Sequence, residues 1–111
     1  MRTQQELGLL IESGLNNSIF IESASRYIDV VHLFVCGCAL GAAYVGIIGD
    51  ATTAVELYKE KHQSGKELEF FSQTLDISLY AVSTIDKMHR IGMTAEEIAN
   101  QLKRAKLLIE I

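Results

Sequence analysis

Proline and tryptophan are absent from all 111 residues of this chain, and cysteine occurs only twice. Average usage would supply about five prolines. A backbone without any is most easily read as helical, because proline removes a donor and breaks helix interiors. All-β architecture is disfavoured at once. Cys36 and Cys38 stand too close in sequence to staple a loop. They are expected to be free thiols in a reduced, cytoplasmic chain. The first ten residues, MRTQQELGLL, contain no apolar core of signal-peptide length, so no export signal is expected. Basic charge is also scarce. The formal net charge is −4 with His neutral, which leaves no broad basic surface for nucleic acid. The densest basic cluster, Lys103, Arg104 and Lys106, is expected to complement the negative end of a terminal helix.

A further absence concerns Val30 to Gly49, where no Asp, Glu, Lys or Arg occurs. Such a run is either a membrane span or a helix covered by protein on nearly every side. Asp29 and Asp50 sit at its edges, where basic and aromatic anchors would mark a span, and Gly37, Gly41, Gly46, Gly49 and His32 dilute it. Those glycines also lack the Lys-Ser/Thr ending of a phosphate-binding loop. The rest of the chain supplies amphipathic faces that need cover, so a buried helix is expected and a membrane span is not.

What is present is helical punctuation. Thr3 with Glu6, Thr53 with Glu56, Ser64 with Glu67 and Thr94 with Glu97 each have capping-box spacing. Leu7, Leu10, Ile11 and Leu15 give the first helix an apolar face. Leu68, Phe71, Leu75, Leu79, Val82 and Ile85 form the strongest stripe, on a helix opening near Ser64 and closing at Gly92. Ile98, Leu102, Ala105 and Ile109 face the last helix inward. The sequence therefore predicts one all-α domain over 1–111, a four- to five-helix bundle around a buried hydrophobic central helix at about 18–48. Gly49 is the first break, and a kink or a new helix follows it.

Three constellations bear on chemistry. Asp29, His32 and Cys36 fall on one helical face, but a nucleophilic thiol needs an exposed electropositive setting, which Val35 and Leu40 do not supply. Two Asp-x-x-His pairs, Asp29 with His32 and Asp86 with His89, resemble the Glu-x-x-His pairs of di-iron helix bundles. They are weak metal candidates, because an antiparallel register separates the pairs by roughly 12 Å, and no cofactor is expected. Residues 92–99, GMTAEEIA, resemble the first helix of a helix-turn-helix segment, which implies DNA reading if a recognition helix follows. Gln101 to Ile111 contains no turn signal, and nucleic acid is not an expected partner.

By elimination the sequence points to a small, non-catalytic protein–protein interaction module, self-associating as a homodimer. The strip formed by Gly37, Cys38, Gly41 and Ala42 is its expected interface, because small residues let a partner backbone approach. The alternatives are an immunity or antitoxin-type inhibitor of a protein toxin, a metal-dependent helical enzyme, and a single-span membrane protein.

Overall fold

A computed structural model describes residues 1–104; Ala105, Lys106 and Ile109, assigned above to the last helix and its basic cluster, lie outside the described residues. The chain runs α1 (Gln4–Leu15), β1 (Phe20–Glu22), β2 (Ile28–Val31), β3 (Phe34–Gly37), α2 (Ala39–Ile48), α3 (Ala51–Lys61), α4 (Glu67–Leu75), α5 (Leu79–Arg90) and α6 (Ala95–Lys103). The expected all-α bundle is thereby corrected. Six helices accompany a three-stranded mixed sheet, and no helix spans 18–48.

The correction has a physical cause. Ile28, Val30, Val31 and Val35 are β-branched and Phe34 is aromatic, types that lose rotamer freedom in a helix and fit a pleated surface. The uncharged run thus contains strand followed by helix. β2 and β3 form a hairpin whose pairs run from Val31↔Phe34 to Ile28↔Gly37, while β1 pairs parallel to β3 from Phe20↔Val35 to Glu22↔Gly37. β3 is central and β1 and β2 are the edges. Phe20, Ile28 and Val35 are buried; Ile21, Phe34 and Cys36 alternate onto the outer face.

The two edges differ. In β2 the Asp29 carboxylate accepts the outward Val30 N–H at 2.8 Å and an ion pair from Lys59 of α3 at 3.0 Å, with Arg26 at 3.4 Å. A charge placed there guards an edge against strand addition.

A central apolar helix does exist in shortened form. Ala39 to Val45 of α2 are all buried, and Gly49, at φ +90°, terminates the helix. No helix among the described residues is long and apolar enough to cross a membrane. α1 covers one flank of α2 at a close crossing: a Cβ on Gly14 would lie 1.8 Å from the Ala42 carbonyl oxygen. Tyr27, Tyr44, Tyr58, Phe70 and Phe71 form an aromatic cluster on the other flank, with Tyr44 and Phe70 edge to face at 5.3 Å. α6 packs along α1, with Gly8 against Ala99.

The predicted long stripe is also divided. Asp76, at φ +54°, ends α4 in the left-handed region, and the Ser78 hydroxyl caps α5 by accepting the Ala81 N–H at 3.0 Å. Leu79 is left exposed by that turn. Of the capping boxes, Thr3–Glu6 and Thr94–Glu97 form. At α3, Asp50 accepts the Thr52 N–H instead, and the Glu67 carboxylate reaches back to the Gly65 N–H.

Candidate functional site

The side chain of Glu22 points from β1 toward the turn between α5 and α6. One of its oxygens, Oε2, accepts from His89 Nε2 at 2.6 Å and from the Ala95 N–H at 2.9 Å. A carboxylate therefore sits at the positive end of α6, where the backbone dipoles favour it. His89 is 4 % exposed, and its buried Nδ1 has no hydrogen-bond partner among the described residues. The bond to Glu22 places an imidazole proton on Nε2.

Beside this clasp lies a cleft of about 410 Å³ bounded by the end of α1, the edge of β1 and the start of α6. Phe20 and Leu15 supply apolar wall, and Glu12, Glu22, Glu96 and Asn100 supply polar groups. Glu12 is paired with Lys103, and Glu22 is held as described. Glu96 makes no hydrogen bond or ion pair among the described residues.

A second feature is the hairpin. His32 and Leu33 form its two-residue loop, with His32 at φ +57°. Leu33 is 86 % exposed, and Phe34 and Ile21 on the outer face are 44 % and 47 % exposed.

Of the residues singled out in the sequence, Asp29 and Cys36 meet as a cross-strand pair of the hairpin, and Asp86 and His89 lie apart from them on α5. Asp29 is bound to Lys59 and to the Val30 N–H, which hold its carboxyl below the ordinary value. His32 is exposed at the hairpin tip, Asp86 accepts from Arg90 at 3.0 Å, and His89 is engaged by Glu22. Among the described residues no group of three or more His, Cys, Asp or Glu side chains is arranged to hold a metal ion. Asp29, His32 and Cys36 share no helical face, since Asp29 and Cys36 belong to strands. Cys36 and Cys38 are free, and burial pushes the Cys38 thiol up to about 11.

Gly37, Cys38, Gly41 and Ala42 are all buried. A Cβ on Gly41 would lie 1.9 Å from the Tyr27 carbonyl oxygen, and Ala42 lies against Gly14. The small-residue strip is thus occupied by Tyr27 and α1 of the same chain. Glu22 escaped notice in the sequence because its partner is 67 positions away. His89 left a signal, since it continues the buried spacing of Val82 and Ile85.

No known protein family matches this chain, and no curated protein or solved structure matches it significantly.

Proposed function

We propose that this chain is a non-catalytic protein-interaction module that pairs with a second copy of itself through the outer face of its hairpin. The observation that carries this reading is the exposure of the apolar side chains Ile21, Leu33 and Phe34 on β1, the hairpin loop and β3. Cys36, half-buried, lies between Ile21 and the ion-paired Asp29 in the register. Two-fold pairing covers such a surface with an identical one and needs no further partner. An inhibitor that masks a basic protein is the second reading, favoured by the carboxylates of the cleft.

Light scattering over a micromolar concentration series tests the first reading. The wild type should have the mass of a dimer. Leu33→Ser combined with Phe34→Ser should have that of a monomer that still melts cooperatively, at a somewhat lower temperature because Phe34 is about half covered while Leu33 is 86 % exposed. A wild type that is monomeric throughout, or a dimer that survives the double substitution, would overturn it.

A further inference from the structure

The β1 edge is unguarded, and it opens on the cleft. Val35 N–H donates to the Ile19 carbonyl and Ser23 N–H to the Gly37 carbonyl at the two ends of the β1–β3 ladder. Backbone groups alternate sides along a strand, so Ile19, Ile21 and Ser23 address β3 while Phe20 and Glu22 address the opposite side. The Phe20 N–H is taken by the Asn17 carbonyl at 3.1 Å. The Phe20 carbonyl and both backbone groups of Glu22 make no hydrogen bond among the described residues. Phe20 and Glu22 are also the β1 residues that line the cleft. The open strand edge and the cleft therefore share Phe20 and Glu22.

We infer that this groove receives an extended, basic segment of a partner polypeptide, added as a strand beside β1. Strand addition supplies backbone hydrogen bonds that carry affinity, and alternate side chains of the added strand enter whatever pockets the receptor provides. Here those pockets contain the apolar walls of Leu15 and Phe20 and the carboxylates of Glu12, Glu22 and Glu96. The charges are unequal in availability. Glu12 and Glu22 already have cationic or N–H partners, whereas the Glu96 side chain has none among the described residues and stands in the first turn of α6. An arginine or lysine of the incoming strand would complete Glu96 and meet no cationic side chain among the groove-lining residues. One outward N–H is occupied at each edge, but β2 also carries the Asp29 carboxylate with its Lys59 and Arg26 ion pairs, charges that disfavour strand addition there. This inference rests on the chain acting by binding protein, but not on its dimerisation.

The test uses the full chain and a fluorescein-labelled peptide of alternating arginine and valine, followed by anisotropy. Saturable binding is expected, weakening as salt is added. Glu96→Gln should weaken it about threefold to fivefold, whereas Glu69→Gln on α4 should leave it unchanged. A peptide N-methylated at alternate backbone amides should lose binding, and hydrogen exchange at the Glu22 amide should slow only with the unmethylated peptide. Equal binding by the methylated peptide, indifference to Glu96→Gln, or absence of saturation would overturn the inference. Competition by spermine as effective as by the peptide would also overturn it, leaving a site for small cations. The double variant Leu33→Ser and Phe34→Ser separates the two ideas, since peptide binding should persist in it whether or not the wild type dimerises.

Discussion

Glu22 and His89 are joined across 67 positions of chain by a 2.6 Å hydrogen bond, and the same carboxylate oxygen closes the start of α6. One side chain thus ties the sheet edge to the last two helices. Replacing Glu22 with Ala strands two N–H donors, one on a buried ring. The expected loss is roughly 2–4 kcal/mol of unfolding free energy. Glu22→Gln keeps an acceptor and should cost about 1–2 kcal/mol. Urea denaturation of the two variants measures both losses; a Glu22→Ala protein as stable as wild type would show that the clasp contributes nothing.

The hairpin loop stores strain at His32. Its φ of +57° lies in the left-handed region, which costs a side-chain-bearing residue about 1 kcal/mol and glycine almost nothing. His32 is exposed, so nothing is lost from the core on removing its ring. His32→Gly should raise stability by about 0.5–1 kcal/mol, less whatever entropy glycine adds to the unfolded chain. Thermal melting of the variant decides the sign.

Stability should fall in alkali. Burial raises the Cys38 thiol from 9.0 to about 11 and raises the Tyr27, Tyr44 and Tyr58 hydroxyls above 10.0. Each group is neutral when protonated, so the unfolded chain loses these protons at lower pH than the folded one. Unfolding is then accompanied by proton release, and stability declines as pH rises from about 9 through about 11. At neutral pH none of the four contributes a slope. Urea midpoints at neutral pH and at about pH 10 should differ in that direction. Cys38→Ala should remove the earliest part of the decline and leave the tyrosine part. A midpoint that is flat across this range would contradict the burial of these groups.

Local chemistry was readable in the sequence, and long-range pairing was not. Thr3 and Thr94 announce their helices because a cap is made within three residues. The burial of Ala39 to Val45 follows from a run with no charge to place in water. Val30 to Gly37 defeated the same logic, since an uninterrupted apolar stretch has no period by which strand and helix can be told apart. Its β-branched residues were the remaining clue. Asp76 breaks the stripe of α4 and α5 through a backbone angle, which hydrophobic spacing does not encode. Gly41 was legible as a site of close approach, but the sequence did not reveal that the approaching backbone is that of Tyr27. The groove depends on α1, β1 and α6 meeting, so its carboxylates could not be assembled from their spacing.

Asp29 has a consequence for how copies of this protein can assemble. A sheet with both edges free has a valence of two and can extend without limit, as fibres do. With the Val30 N–H occupied and the Asp29–Lys59 ion pair beside it, the β2 edge is guarded by charge, and β1 is the edge more open to strand addition. Strand-to-strand association of copies through β1 alone would terminate at a pair. Replacing Asp29 would remove that stop as well as an ion pair, turning a self-limiting contact into a chain-growing one.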